Sequence, residues 1–458
     1  MTRARRVLAG ADGSRVALFG EVGVGNLGND ASFAACARLL RERVPGVRIA
    51  AMGRDVGLSD PADPADPAGP ARRDGLDGYD EAVPLSSAFG LRLRRSGRTG
   101  PVARALAKLA DLGHLVRVVG GLDGVVVPGT GVLEREHRRG PGGVLVWLVL
   151  LAVACRVRGV PLAWFAIGGS SYESRWPAWT AGLAARGARH RTFRDAGTRD
   201  ALPAWSGVAG DVVTHDVVLG RDEAVAEVAT PGPPEGVRTV AVAVINHDPP
   251  GPSGAERRRR YVERVAALVR ALTGTGVAVE LVSADRADRE AVAAVLTALD
   301  VGVGDDAPSS GPGDGAIARP PARPVVVHTE EGGMDVLLDR LATADVVVAS
   351  RFHVLVAAAL ARRPVVALSH ADKDAALLRR AGLERYLVPI DDLEPERVAR
   401  LVSAAHADGA RVGRLLDAMC RAAHASVHAE ADRLVDALGI TPSGHPGRRA
   451  RDLAREAS

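Results

Sequence analysis

The sequence predicts an α/β protein built on two parallel β-sheets, and three observations support this prediction. Short, almost wholly apolar runs alternate with helix-like stretches through most of the 458 residues, which is typical of parallel strands covered by helices on both faces. The proline-rich segment TPGPPEGVR, residues 230–238, divides this alternation into two series, as an interdomain linker does. Hydrophobic residues make up 47% and charged residues 25% of the chain, ordinary values for a globular protein long enough for two domains. We therefore expect two Rossmann-like domains facing a cleft, over residues 1–232 and 236–440, with a polar tail over residues 441–458.

The first series opens with an apolar strand over Val16–Phe19 and a helix over Ala31–Leu40. The proline-rich stretch SDPADPADPAGPARRDG then breaks the alternation, and we expect a low-complexity, disordered insert over about residues 56–100. Beyond the insert, strand-like and helix-like runs follow each other again. Further predicted strands start at Val47, Asp123, Val160 and Arg189, and an apolar helix occupies Val144–Cys155.

The second series repeats the pattern after the linker. Its predicted strands are TVAVAVIN, VAVELVSA, VVVH, DVVVAS and RPVVALS. A loop rich in Gly and Pro, over about residues 303–324, is expected to be disordered. Because ligands of open parallel sheets bind beyond the carboxyl ends of the strands, we expect the loops at those ends to carry the functional site.

Composition argues against several classes of partner. Only two of the 59 basic residues are lysines, Lys108 and Lys373, and no basic run is interleaved with aromatic residues, so we expect no nucleic-acid binding. The three cysteines are too widely spaced for a disulfide framework or a metal site. The apolar run Val144–Cys155 is too short to span a bilayer, and the N-terminal residues lack the apolar core of a signal peptide. These features predict a cytoplasmic protein.

The N-terminal loop GEVGVGNLGND contains a Gly-x-Gly-x-x-Gly pattern at Gly23, Gly25 and Gly28, between a predicted strand and a predicted helix. Glycines let a backbone approach a ligand closely, and a helix start offers N–H groups to an anion. An NAD site is the less favoured interpretation. The pattern starts at Gly23 instead of at Gly20, where the strand ends, and no well-placed ribose-binding acid follows. A tight turn without a ligand is the alternative.

The most informative segment follows a buried strand of the second series. Arg351 and His353 come directly after this strand, and the next strand leads to His370 and Lys373 at the same edge of the sheet. A guanidinium, an imidazole and an ammonium group suit a substrate that carries phosphate and carboxylate. The alternatives are an ion pair of Arg351 with Asp345 or another acid, a helix-capping His353 and a solvated Lys373. We expect His370 to be a bystander.

Five segments resemble, in the same order, those of the polysaccharide pyruvyl transferase family: GEVGVGNLGNDA, PGTGVLE, FRDAGTRDAL, GDVVTHDVVL and ASRFHVLVAAALARRPVVALSHADKDAALL. The resemblance implies the paired Rossmann-like domains of glycosyltransferases of the GT-B type, with no metal or other cofactor. It also implies a site for phosphoenolpyruvate, the donor, that is lined by Arg194, Arg351, His353 and Lys373. The acceptor side would then include Gly23, Gly25, Asn26, Gly28, Asp30 and Glu134.

The reaction implied by the resemblance moves the enolpyruvyl unit of phosphoenolpyruvate onto two hydroxyls of a glycan or a lipid-linked saccharide, which forms a pyruvate ketal and releases phosphate. His353 is expected to protonate the methylene carbon, because an imidazole titrates near neutral pH. Arg194 and Arg351 would hold the carboxylate and phosphate, and Lys373 would stabilise the departing phosphate. Asp30 and Glu134 are the candidate bases.

Two other functions stay open at this stage. A nucleotide-sugar-dependent glycosyltransferase uses the same two-domain fold, and a catalytically inactive glycan-binding relative would keep the fold without the reaction. A lipid-linked acceptor would be compatible with a transient association of the protein with a membrane surface.

Overall fold

The computed structural model describes residues 13–53, 78–90, 100–134, 143–172, 174–207, 211–224, 236–247, 249, 251, 253–301, 325–329 and 332–440. The predicted loop at 303–324 and the predicted tail at 441–458 lie outside the described residues, as does most of the predicted insert at 56–100. The described part of that insert contains a short strand, so the prediction that regular structure fails throughout it is corrected.

The chain forms two compact units. The first comprises Met1–Val24, Asn29–Gly220 and Ala425–Ser458, and the second comprises Gly25–Gly28 and Arg221–His424. This division differs from the predicted boundary at residues 232–236, and it also assigns the last part of the chain to the first unit. The last helix crosses from the second unit to the first at Ala425, and no sequence signal marks that return.

The first unit is built on a seven-stranded parallel sheet in the order β3-β2-β1-β4-β5-β6-β7. The four central strands β2, β1, β4 and β5 are buried at all but their first residues because they are almost wholly apolar, as in a sheet covered on both faces. An ion pair connects the edge strand β3 to its neighbour β2, since Glu81 of β3 accepts a hydrogen bond from Arg48 of β2 at 2.8 Å. The strands are β1 Arg15–Phe19, β2 Arg48–Gly53, β3 Glu81–Pro84, β4 Gly124–Val127, β5 Leu162–Ile167, β6 His190–Phe193 and β7 Val212–Val213.

The helices that the structure describes with both ends in this half of the chain are α1 Leu27–Arg43, α2 Pro101–Val119, α3 Val144–Arg158, α4 Arg175–Gly187 and α5 Ala196–Asp200. Buried residues of α2, α3 and α4 form one continuous core with the sheet. These three helices follow β3, β4 and β5 in turn, so right-handed crossovers place them on the same face. The most apolar of them, α3, ends at Gly159, whose left-handed φ of 67° turns the chain toward β5.

The second unit has a six-stranded parallel sheet in the order β10-β9-β8-β11-β12-β13. In both sheets the strand order reverses beside the first strand of the unit, which is the doubly wound arrangement of Rossmann-like domains. The strands are β8 Thr239–Ala243, β9 Ala278–Ser283, β10 Val325–His328, β11 Val346–Ala349, β12 Val365–Ser369 and β13 Leu387–Pro389. The helices are α6 Gly254–Gly274, α7 Asp288–Val301, α8 Gly333–Thr343, α9 Phe352–Leu360, α10 Asp372–Ala381, α11 Pro395–Ala407 and α12 Gly409–Leu438.

The described residues include neither a membrane-spanning helix nor an exposed thiol. None of their helices is long and apolar enough to cross a membrane. Cys36, Cys155 and Cys420 are buried free thiols, and burial raises the pKa of Cys155 to about 12 and that of Cys420 to about 11, which makes both unreactive at neutral pH.

Replacement of Leu438 by Ala should destabilise the first unit by about 2–5 kcal/mol, the usual cost of this change in a packed core. Leu438 is buried, and its Cδ2 lies 2.9 Å from where a Cβ on Gly124 of β4 would stand. Hydrogen exchange followed by mass spectrometry should therefore show faster exchange in β4. Val412→Ala is the matched control, because Val412 is buried in the same helix but belongs to the second unit. If Leu438→Ala left β4 protected, the grouping of the helix end with the first unit would be wrong.

Candidate functional site

A cluster of polar side chains lies where the strand order of the second sheet reverses, between β8 and β11. Three loops at the carboxyl ends of the strands supply it. Asn246 follows β8, Asp285 and Asp288 follow β9, and Arg351 follows β11. Ligands of doubly wound sheets bind at this reversal, so we take this edge as the candidate site of the second unit.

Arg351 forms a two-pronged ion pair with Asp288. Its Nε donates to Asp288 Oδ2 at 2.7 Å, and its Nη2 donates to Oδ1. Nη2 also lies 3.4 Å from Asp285 Oδ2. The acid paired with Arg351 is thus Asp288 and not Asp345, whose carboxylate accepts two backbone N–H groups at the start of β8. A fork of parallel hydrogen bonds from Arg351 to a substrate would have to use the Nη1–Nη2 edge of the guanidinium, because Asp288 occupies the Nε–Nη2 edge.

Asp288 is the most buried charged group of the cluster, with a side chain that is 0% exposed. Its Oδ1 also accepts the N–H of Asn246 at 2.8 Å. Burial raises the pKa of Asp288 above its ordinary value, and the hydrogen bonds and charge of Arg351 oppose that rise. A carboxylate in such a place is tolerated only with a counter-ion and hydrogen bonds. Arg351 therefore has a structural function at this edge as well as its predicted function in binding.

His353 lies in the first turn of α9, and its ring packs edge-on against Phe352 with the centroids 5.2 Å apart. A Cβ added to Gly28 would stand 2.0 Å from His353 Nδ1, so only a glycine fits beside the imidazole in this position. The residue that caps α9 is Arg351, whose side chain makes no capping hydrogen bond. The capping interpretation of His353 is therefore not the arrangement that the structure has.

The glycine loop is attached to the connection between β9 and α7. Asn26 donates from Nδ2 to Asp285 Oδ2 at 2.6 Å, and the carbonyl of Gly25 accepts the N–H of Arg286 at 2.8 Å. Gly25 has a left-handed φ of 83°, which a residue with a side chain rarely adopts. Through Asp285, the loop touches the same carboxylate that lies beside Arg351. Three predicted site residues, Asn26, Gly28 and His353, thus belong to one cluster with Arg351.

Lys373 lies in the first turn of α10, and its Nζ is 5.7 Å from the centroid of the Phe352 ring, within the range of a cation–π contact. His353 contacts the same ring. The neighbouring His370 precedes α10 and lies 3.6 Å from Asp374 of that helix, and its status as a bystander remains an expectation. Among the residues that the structure describes, no group of His, Cys, Asp and Glu could hold a metal ion, and a metal-free reaction remains an expectation.

Arg194 lies in the first unit, buried at the end of β6 among three carboxylates. Its Nη2 donates to Glu134 Oε1 at 2.8 Å, Nη1 lies 3.5 Å from Asp216, and Nε lies 3.8 Å from Asp195. These charges raise the pKa of Arg194 against the opposing effect of burial. Its predicted function as a donor ligand remains a prediction. In this structure it holds Glu134 in place.

Asp30 has a local partner, since its Oδ1 accepts the N–H of Gly23 at 2.7 Å. Gly23 has a left-handed φ of 69°, so this bond closes the turn that precedes α1. The helix itself starts at Leu27, within the Gly-x-Gly-x-x-Gly pattern and earlier than predicted. Gly28 lies against the ring of His353, whereas the third glycine of a dinucleotide-binding turn serves the close packing of the helix on its strand.

Sequence reasoning missed Asp285, Asp288 and Asn246. The acids stand in VSADRADRE directly after a predicted strand, and Asn246 ends TVAVAVIN. That position at the carboxyl end of a strand was the available signal. Which of many acids would pair with Arg351 depends on strand order, which a single sequence does not reveal.

Comparison with known proteins yields a family and a fold. The family model for polysaccharide pyruvyl transferase matches residues 26–372, a span that ends one residue before Lys373. No curated protein matches the chain. Solved structures with the same fold include Anabaena HepE in complex with UDP-glucose, with a TM-score of 0.54, 13% identity and coverage of 92% of this chain and 99% of that chain. S. aureus MnaA with UDP has a TM-score of 0.52 and 11% identity, and the match covers 95% of this chain and 100% of that chain. Neisseria meningitidis UDP-GlcNAc 2-epimerase bound to UDP-GlcNAc has a TM-score of 0.51 and 8% identity, and the match covers 93% of this chain and 99% of that chain. These matches confirm the predicted α/β fold of the GT-B type with two parallel sheets.

Gly28→Ala should destabilise the protein by about 1–3 kcal/mol, the usual cost of overpacking. Alanine is favoured over glycine in a helix by about 1 kcal/mol, but the new Cβ would overlap the His353 ring and outweigh that gain. Gly113→Ala is the matched control, because Gly113 lies in α2 with open space around it and should gain stability. Thermal melts of both variants check the signs. A stabilised Gly28→Ala protein would show that the imidazole does not lie against Gly28.

Arg351→Gln should destabilise the second unit by about 3–5 kcal/mol at neutral pH, because it leaves Asp288 buried without its counter-ion. A carboxyl group whose pKa is raised on folding costs stability as the pH rises above its unfolded pKa, and loss of Arg351 enlarges that cost. The deficit should therefore shrink as the pH falls from neutral toward about 4, the ordinary pKa of an unfolded aspartate, because the raised pKa makes folded Asp288 take up its proton before that pH is reached. Adding Asp288→Asn should recover much of the stability and remove the pH dependence. Urea titrations across this range test it, and a deficit that does not change with pH would contradict the pairing.

Proposed function

The chain belongs to the polysaccharide pyruvyl transferase family, and from that premise we propose that it transfers the enolpyruvyl unit of phosphoenolpyruvate to a saccharide. The observation that carries the proposal is the edge formed by the adjacent parallel strands β11 and β12. There Arg351 stands at the N-cap of α9, and His353 and Lys373 both lie against the ring of Phe352 in its first turn. Cationic and proton-donating groups at such an edge suit a small donor that carries phosphate and carboxylate.

Phosphate is best placed at the start of α9. The N–H groups at the start of a helix, together with its dipole, favour an anion. The first turn of α9 contains no acidic residue, whereas the first turn of α10 contains Asp372 and Asp374, which weaken its attraction for phosphate. Lys373 adds a positive charge beside this position. Asp288 and Asp285 already offset much of the charge of Arg351, so Arg351 is assigned to orient the donor carboxylate and not to supply net charge.

His353 is assigned as the acid that starts the reaction. Protonation of the methylene carbon of phosphoenolpyruvate makes C2 electrophilic, and two acceptor hydroxyls then add to C2 while the C–O bond to phosphate breaks. Of the two hydroxyl protons, one replaces the proton that His353 gave up and the other leaves with phosphate. The tight packing of Gly28 against the imidazole restricts its movement, which is the kind of preorganisation that general acid catalysis requires.

The acceptor is assigned to the first unit, with Glu134 as the base for a hydroxyl. Arg194 orients Glu134 through a direct hydrogen bond. Asp30 is the weaker candidate, because its carboxylate closes the turn at Gly23. The nucleotide-sugar glycosyltransferase remains the second candidate function, since the solved structures of the same fold include proteins in complex with UDP-glucose and UDP-GlcNAc.

A reaction run in deuterated water tests the chemistry. Incubation with ¹³C-labelled phosphoenolpyruvate and a panel of hexosides should give a labelled ketal whose methyl group carries one deuterium, together with inorganic phosphate. Mass spectrometry and NMR detect both. Transfer of a sugar from UDP-glucose to the same panel, without incorporation of the label, would support the glycosyltransferase instead.

His353→Ala should abolish transfer and leave the affinity for phosphoenolpyruvate within roughly tenfold, because a general acid acts mainly in the transition state. His370→Ala is the matched control, a histidine at the same sheet edge that pairs with Asp374 and should keep its activity. Steady-state rates and calorimetric titration separate the two effects. Near-normal turnover in His353→Ala would remove His353 from the reaction.

A further inference from the structure

The helices α2, α3 and α4 of the first unit expose apolar side chains on the side that faces away from the sheet. In α2, Val102, Leu106 and Leu109 recur at helical spacing, and Leu109 is 64% exposed. In α4, Trp176 and Trp179 are 64% and 47% exposed and stack on each other with their centroids 5.6 Å apart. We call this surface the α2–α4 face. In most proteins the outer side of such helices is polar.

The middle helix makes the face continuous. On α3, Val153 and Val157 are exposed, and Val149 and Leu150 are half-buried. The three helices pack side by side, since a Cβ on Gly187 of α4 would meet Ala152 of α3, and Lys108 of α2 lies 3.8 Å above the ring of Trp147 in α3. Contiguous exposed apolar surface on a soluble unit marks an interaction site.

The charge on the same helices has one sign. Exposed arginines occur on all three: Arg104, Arg117, Arg156, Arg158, Arg175 and Arg186. The acidic residue of these helices is Asp111, which is buried and accepts hydrogen bonds from the N–H and hydroxyl of Ser87. The α2–α4 face is thus both apolar and basic.

Apolar side chains, tryptophans and arginines together match the boundary of an anionic bilayer. Tryptophan favours the level of the lipid headgroups, aliphatic side chains enter the acyl boundary, and arginine is attracted to anionic lipid. A second copy of the chain fits less well, because a two-fold contact through this face would bring like charges together. Nucleic acid would match the arginines but not the exposed Val and Leu residues.

We propose that the α2–α4 face binds the surface of a membrane that contains anionic phospholipid. The first turns of α2 and α4 follow strands of the first sheet at its carboxyl edge, which is also where Glu134 and Arg194 lie. Binding through this face would place that edge beside a lipid-linked saccharide. The binding itself does not depend on the proposed reaction, so failure of one leaves the other standing.

Vesicle flotation with the full chain tests the proposal. The protein should float with vesicles made of phosphatidylcholine and phosphatidylglycerol in equal parts, much less with phosphatidylcholine alone, and less as salt is added. Absence of flotation with the anionic vesicles would overturn the proposal. Two other results would overturn it when lipid binding is absent. One is a concentration-dependent dimer that substitution of this face abolishes. The other is RNA binding in a gel shift that the same substitution abolishes.

Variants locate the contact. Trp176→Ser with Trp179→Ser should weaken partitioning at least about tenfold by loss of apolar area, whereas Trp176→Leu with Trp179→Leu should retain most of it.

Arg175→Gln with Arg186→Gln should weaken partitioning roughly fivefold for each charge. The matched control is Arg259→Gln with Arg260→Gln on α6 of the second unit, which removes two exposed charges and should have no effect. Melting temperatures of all variants should stay near that of the wild type, because the changed side chains are exposed. Equal losses in the control, or undiminished binding of the serine variant, would show that the contact lies elsewhere.

Discussion

The ion pair between Arg351 and Asp288 fixes the edge of the second sheet on which the proposed donor site depends. Asp288 is wholly buried, holds the backbone after β8 through the N–H of Asn246, and is compensated by a guanidinium that enters from the end of β11. Three strands are thus joined at the place where the strand order reverses. Because a buried carboxylate without a counter-ion costs several kcal/mol, loss of Arg351 would strongly destabilise this edge. The residue predicted to bind substrate therefore also stabilises the site around it.

The glycine loop adds a steric constraint to this electrostatic one. Gly28 leaves room for the imidazole of His353, and Asn26 bonds to Asp285, the second acid near Arg351. A loop with the Gly-x-Gly-x-x-Gly pattern of a dinucleotide-binding motif here contacts His353 and an acid beside the ion pair of Arg351. The physical reason is that the loop is occupied by contacts within the protein, since Gly28 lies against the ring of His353 and the carbonyl of Gly25 accepts the N–H of Arg286. The pattern by itself could not distinguish these two uses.

Much of the fold follows from the sequence, and the site follows only in part. Near-continuous apolar strands alternating with helices predict two parallel sheets, because no other architecture covers both faces of such strands. The same reasoning places Arg351, His353 and Lys373 at one edge. It could not foresee that Asp288 would pair with Arg351, that Arg194 would be enclosed by three carboxylates, or that α12 would end in the first unit. These contacts join residues distant in sequence, and hydrophobic periodicity carries no information about them.

The central claim is that the second unit binds phosphoenolpyruvate, and ligand-induced thermal shifts test it most directly. A ligand present at a hundred times its dissociation constant stabilises the native state by about 2.7 kcal/mol, which is easily measured as a rise in melting temperature. Phosphoenolpyruvate should give this rise in the wild-type protein, while UDP-glucose and NAD at matched concentrations should not. Stabilisation by UDP-glucose or by NAD, with none by phosphoenolpyruvate, would contradict the claim.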